Sequence, residues 1–498
     1  MELNSTRKAF ADRPARHPAP SCPPSWDARL NWLDTLIKSR TLSTKKFPTD
    51  ELTHIIYPTS FAQNLQTILN VGALFPVEFA VRYGKKANKS AAFARVCADF
   101  YKAGADVGID VASTQEFQSA ISAGVPGSQI MVTGTLPSFS FLQKIIDSGA
   151  TLAICSMQDF ELIQDLFRTG ALSGHLDALL RVRQANSHTR FGLSLNELSK
   201  IVSNLSEQEK CSFKGINLKG LSFHLNGYDA TDRVNMISSI VPHLIALRGA
   251  QADPKNKLLL SIGGGFPAPS VDSDTWNDAM SKFRPEMWVD GQAPGSIYPF
   301  GFADDCTQTI INIMEAKIDS PRGHRQTVAK LLASLNITVI CEPGRSLCSK
   351  AGVTIAPVIS TSSWSDSSTI KPAAQCHITV VAGSSFSLSE QWFSSEFFPD
   401  PILLRNGIPV TSGSQGGYVI AGATCLDSDY LSRRFIPLPT KPQAGDFLLY
   451  IDTAGYQMDS NESSFHELTI PKKYVLEFGG TNNSIPDPSC PIFFTEDK

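Results

Sequence analysis

The chain has 498 residues, 42% of them hydrophobic and 18% charged, with a formal net charge of -3. That length is enough for two or more domains around a large core. The near-neutral balance carries no electrostatic footprint for nucleic acid or an anionic membrane, and no apolar run reaches the length of a membrane span. Ten cysteines contain no CxxC pair and nine histidines no HExxH-like spacing, so neither a metal site nor a disulfide framework is signalled. A reduced, cytoplasmic protein is the expectation.

Residues 1–30 are rich in proline and polar groups and lack the apolar core of a signal peptide. They read as a poorly ordered leader. Within 31–74, "THIIYP" at 53–58 is a short apolar run that could pair into a sheet formed by later strands. From 75 to 345 short apolar runs alternate with stretches of helical periodicity. The runs are "VEFAVR", "ADVGIDVAS", "QIMVTG", "ATLAICS", "DALLRVR", "LKGLSFHL", "KLLLSIGGG" and "TVICEPG". Eight such units predict a (β/α)8 TIM-type barrel, whose active site lies at the C-terminal strand ends. The interval from 265 to 338 is long for one loop and helix and predicts an inserted excursion. From 346 to 498, β-rich runs separated by Gly, Pro, Ser and Asp predict a C-terminal all-β domain of sandwich or barrel type.

The first run raises a question. "FAVRYGKKANKS" carries an apolar strand straight into Lys85, Lys86 and Lys89. Solvated lysines at a strand end are the ordinary outcome. A pocket lysine that forms a Schiff base is the sharper one. The other strand ends favour chemistry. His224 ends the sixth run, Gly263, Gly264 and Gly265 end the seventh, and Glu342 ends the eighth with Arg345 three residues on. Glycines let backbone N–H groups approach a phosphate, arginine adds a charge-assisted bond, and a carboxylate can pair with a pyridinium nitrogen. Singly, each has a plain structural explanation; together they describe a pyridoxal phosphate site on a barrel.

Over residues 50 to 475 the chain resembles the fold-type III pyridoxal phosphate decarboxylases, the family of ornithine, arginine and diaminopimelate decarboxylases. The motifs are "KAN" at 86–88, "DVAS" at 110–113, "RFG" at 190–192, "FH" at 223–224, "GGGF" at 263–266, "EPGR" at 342–345, "GATC" at 422–425 and "AGYQM" at 454–458. The resemblance implies pyridoxal 5'-phosphate held by Lys86, with Lys85 as the fallback. Arg82, where the strand spacing puts the lysine, stays protonated and cannot serve. "YGK" then needs a bulge or an extended strand end. The resemblance also implies that His224 stacks on the cofactor ring and Glu342 pairs with its nitrogen. Gly263 to Gly265, Arg345 and Tyr456 would hold the phosphate. Asp110 and Ser113 would line the floor or simply form a strand-end turn. Cys425 would protonate the product carbon in the neighbouring subunit of a homodimer, and Arg190 would pair with Asp429 across that interface.

Three departures stand out. Gly227 replaces a phosphate-binding serine, Leu426 follows Cys425 where diamine decarboxylases carry an acid, and Ala382 replaces a second acid. A buried ammonium without a carboxylate is costly. The expected substrate is therefore an L-amino acid with an apolar, neutral polar or acidic side chain rather than ornithine or lysine, unless Asp427 or Glu390 takes over the anchor. An amino-acid racemase on the same barrel and a non-catalytic homologue are the alternatives.

Overall fold

The computed structural model describes residues 17–497, except 44–45, 186, 206–211, 214, 252, 254, 296, 320–322, 364–375, 389–395, 414–415, 461–462 and 480–490. The chain divides into two compact units. One gathers Phe61–Pro267 with Asp304–Leu347, and the other gathers the chain up to Ser60 with Ala268–Ala303 and Cys348–Asp497.

The first unit is a closed barrel of eight parallel strands: β1 Glu78–Gly84, β2 Val107–Val111, β3 Ile130–Val132, β4 Thr151–Ile154, β5 Leu176–Val182, β6 Ile216–Phe223, β7 Leu258–Ser261 and β8 Ile337–Cys341. Each pairs with the next, and β8 pairs with β1 to close the ring. All eight strands anticipated from the apolar runs are present. Ala80, Met131, Leu179 and Ile340 fill the interior as a buried apolar cluster, with Leu259 against it. Side chains two residues further along a strand point the same way. Arg181 therefore follows Leu179, and Glu342 follows Ile340, on the inward face at the C-terminal end. Four of the helices that follow barrel strands start on serine caps. Ser90, Ser113, Ser156 and Ser194 each accept a first-turn N–H, which satisfies donors the helix leaves open.

The second unit is built on a mixed sheet of ten strands among the described residues. The long strand Gly352–Ser363 is its spine. It pairs with Phe447–Ile451, with Thr53–Ile56 and, beyond an irregularity between Val358 and Ser360, with Cys376–Val381. Thr53–Ile56 also pairs in parallel with Lys472–Phe478.

The observed division corrects the expected limits of 75 and 345. Phe61, on the helix Pro58–Gly72, stacks on Phe93 with centroids 4.6 Å apart and meets Tyr83 edge-on at 4.9 Å, so the barrel unit begins at 61. The excursion between β7 and β8 leaves the barrel unit. Trp276, Trp288 and Phe300 are buried in one cluster with Ala356, Phe398 and Ile436 of the second unit. The expected leader is likewise corrected over 17–30. Ala19 N–H donates to Phe435 O at 2.8 Å, Cys22 N–H donates to Asp400 Oδ2 at 2.7 Å, and Cys22 is buried. Residues 1–16 and Glu390 lie outside the described residues.

Candidate active site

At the C-terminal end of the barrel a cavity of about 250 Å³ is lined by Lys86, Asp110, Arg181, Ser222, His224 and Glu342, together with Glu116, Thr133 and Phe191. Strand register explains the convergence. Gly84 pairs with Asp110, Val182 with Phe223, and Ser222 with Ser261. Glu342, the residue after β8, donates its N–H to Gly263 O at 2.9 Å.

The strand runs two residues past Arg82 and then turns through a short helical turn, Lys85–Ala87. Tyr83 Oη donates to Asn88 O at 3.0 Å, and Asn88 Oδ1 accepts from Ser90 N–H at 2.9 Å. This turn separates the two lysines. Lys85 is 1% exposed and donates Nζ to Lys89 O at 2.9 Å. Lys86 lines the cavity. Arg82 is spent in an ion pair with Asp106 at 2.9 Å.

Two buried carboxylates face this amine with opposite electrostatics. Burial pushes Asp110 well above the ordinary carboxylate range, and the charge of Glu342 adds to the effect; Lys86 and the Thr133 hydroxyl, 2.8 Å from Asp110 Oδ1, only partly offset it. Burial also works against Glu342. However, His224, the Ser261 hydroxyl at 2.5 Å and the Arg181 guanidinium together hold it below its usual value. Desolvation lowers His224, so its imidazole is neutral at pH 7, with Nδ1 accepting Gly264 N–H at 3.2 Å and lying 3.8 Å from Glu342 Oε2. The cavity thus presents an amine, an ionised carboxylate, a carboxyl biased toward its neutral form and a neutral imidazole.

The other anticipated residues are placed as follows. Gly263 and Gly265 have φ of +70° and +74°. A Cβ on Gly263 would sit 2.5 Å from Phe223 O, and one on Gly264 2.5 Å from Glu342 O, so the close approach of strand ends requires glycine. Arg345 is half-buried and opens the helix Arg345–Cys348. Ser113 caps the helix Thr114–Ser122, the plain alternative for that position. Gly227 lies at φ +149°. Arg190 is exposed, its guanidinium 4.5 Å from the Phe191 ring.

In the second unit, Tyr456 has φ +80°, a strained setting for a bulky residue that costs about 1–3 kcal/mol and concentrates at functional sites. Cys425, Leu426 and Asp427 are exposed on the loop between Gly416–Ala421 and Tyr430–Leu438. Cys425 Sγ lies 3.4 Å from His466 Nε2. Asp429 faces its own loop. It is 5% exposed, and its carboxylate accepts from Ser385 N–H at 2.7 Å and from Thr424 N–H and Oγ1 at 3.2 and 2.6 Å. Ala382 is buried and donates its N–H to Pro357 O.

Sequence reading missed Arg181, Ser222, Thr133, Glu116, Phe191 and Ser261. Two carried a legible signal: Phe191 as the centre of the "RFG" motif, and Arg181 as a charge in the apolar run "DALLRVR" in phase with Leu179.

Residues 64–287 match the pyridoxal binding domain of pyridoxal-dependent decarboxylases. The chain is 31% identical over 438 residues to the uncharacterized protein y4yA of Sinorhizobium fredii, covering 87% of this chain and 90% of that protein. It is 23% identical over 389 residues to a diaminopimelate decarboxylase of Staphylococcus aureus, covering 75% and 77%. The crystal structure of the diaminopimelate decarboxylase from M. jannaschii superposes with a TM-score of 0.64 at 17% identity, over 92% of each chain. The arginine decarboxylase of Paramecium bursaria Chlorella virus gives 0.62 at 16%, over 89% of this chain and 99% of that one. The strand ends that gather an amine, two carboxylates and a neutral imidazole belong to a divergent member of the fold-type III pyridoxal-dependent decarboxylase family, with pyridoxal 5'-phosphate as its cofactor.

Proposed function

We propose that the protein decarboxylates an L-amino acid whose side chain is not a basic amine, as a homodimer in which Cys425 serves the partner subunit's site. The residues fit the cofactor. Lys86 offers an amine on the cavity wall and Glu342 a carboxylate held ionised beside it. The Ser222 hydroxyl is buried without a hydrogen-bond partner among the described residues, an acceptor or donor waiting for a polar ligand. The cofactor, when bound, supplies the electron sink for the bond that breaks.

The chain's own contributions follow from position. Lys86 holds the cofactor covalently. Glu342 keeps a proton on the ring nitrogen, and the short bond from Ser261 fixes the carboxylate that does so. His224 is neutral and flat-faced, suited to cover the ring. Arg181 adds positive charge to the cavity wall beside Glu342. Cys425 delivers a proton to the carbon that has lost its carboxylate. Leu426 and Ala382 present no acid to a distal ammonium, and desolvating that ammonium unpaired costs several kcal/mol, about a thousandfold or more in affinity. The anionic Glu342 argues against a racemase, which needs a weaker electron sink.

The observation that carries the reading is Lys86 facing Glu342, Asp110 and His224 in one cavity while Lys85 is committed to a backbone carbonyl. The test is a yellow protein bleached by borohydride, with the pyridoxyl group mapped to Lys86, and CO2 release across a panel of L-amino acids. Label on Lys85, or a wide preference for ornithine or lysine, would overturn the corresponding part.

A further inference from the structure

Beside the cavity lies a cation whose surroundings are unusual. Arg233, in the first turn of the helix Ala230–Ala250, is 0% exposed. Among the described residues its guanidinium forms no ion pair. Its acceptors are neutral: Nη2 donates to Gly264 O at 2.6 Å, Gly265 O at 2.9 Å and Gly227 O at 3.4 Å, and Nη1 to Asp229 O at 3.2 Å. Nε has no partner among the described residues. Burial lowers its pKa, with Cys306, Asp232 and Asp229 only partly restoring it. The positive end of the helix dipole makes the placement less favourable still. A buried charge set against its helix and without a carboxylate calls for a compensating anion.

The glycine turn shows where that anion would sit. A trans peptide holds its C=O and N–H on opposite sides. With Gly264 O and Gly265 O drawn to Arg233, the N–H groups of Gly265 and Phe266 face away from it. Among the described residues neither N–H has an acceptor, whereas Gly263 and Gly264 N–H are taken by Ser261 Oγ and His224 Nδ1. Gly265 lies at φ +74°. Two adjacent free N–H groups on a left-handed turn form a nest for an anion.

We propose that Arg233 is a positioning residue for phosphate: it pins the glycine-turn carbonyls so that Gly265 and Phe266 N–H point at the cofactor's phosphate, and it supplies the buried positive charge that this dianion neutralises. The inference rests on the reading of the glycine turn as the phosphate site. The experiment strips the full-length protein of cofactor and titrates it with pyridoxal 5'-phosphate and with pyridoxal, following absorbance, for the unmodified chain and for Arg233→Gln and Arg233→Lys. The unmodified protein should prefer the phosphorylated form. Arg233→Gln should lose about tenfold or more of that preference, the weight of one charge-assisted hydrogen bond, with pyridoxal affinity unchanged, and Arg233→Lys should recover part of it. An equal loss for both cofactors, an unchanged preference, or failure of the charge-conserving Lys variant to fold would make Arg233 a purely structural residue and overturn the proposal. An unmodified protein that binds neither form would refute the cofactor reading itself.

Discussion

Lys86 and Lys85 are adjacent, identical in chemistry and opposite in fate. The turn that follows β1 sends one side chain into the cavity and buries the other against Lys89 O. Their neighbours titrate in opposite directions, which gives two predictions. Removing the Glu342 charge by Glu342→Gln should leave the cofactor bound and lower kcat by about a hundredfold to a thousandfold, the usual scale for one preorganised electrostatic group; rapid-quench measurement of CO2 release checks it. Asp110 is raised above its ordinary value of 3.8. As pH rises from that value to the folded pKa, the unfolded chain releases a proton that the folded chain keeps, so Asp110 lowers stability across this window. Cofactor-free Asp110→Asn should therefore melt higher than the parent near neutral pH and at the same temperature below pH 3.8, as followed by circular dichroism.

At the scale of elements, the loop between Gly416–Ala421 and Tyr430–Leu438 shows how a residue's role is fixed by what it touches. Asp429 gathers three donors from Thr424 and Ser385. A Cβ on Gly422 would stand 2.2 Å from its carboxylate, so glycine there gives the acid its place. Asp429→Ala should leave buried donors unpaired, cost about 1–3 kcal/mol and free the loop that carries Cys425. Urea denaturation reads the first effect, and faster alkylation of Cys425 the second. Unchanged stability and alkylation would return Asp429 to a surface role. Sequence spacing could not distinguish an acid facing a partner from an acid facing its own loop, because both follow the same motif at the same distance. The "KAN" lysine, by contrast, was legible because the strand and its turn are local.

For the whole molecule, the segment 268–303 is the instructive case. Its length marked it as an excursion between β7 and β8, but not which core it joins. Trp276 meets Phe398 and Phe300 edge-on, at 5.7 and 6.0 Å, inside the second unit. Trp276→Ala should lose about 3–5 kcal/mol, with hydrogen exchange accelerating in Gly352–Ser363 and Tyr430–Leu438 and unchanged in the barrel strands. Protection lost in β1 to β8 instead would reassign the segment. What the sequence determined by itself is the set of eight barrel strands, the all-β character of the C-terminal half and the residues at the strand ends. Alternation and helical periodicity are local, and strand ends in a barrel converge by construction. Tertiary structure alone decided that Arg181 and Ser222 join Lys86, that Arg233 lies beneath the glycine turn, that Asp429 is internal and that 268–303 leaves the barrel unit. Each of these depends on a contact between residues distant in the chain, whose partners no local pattern encodes.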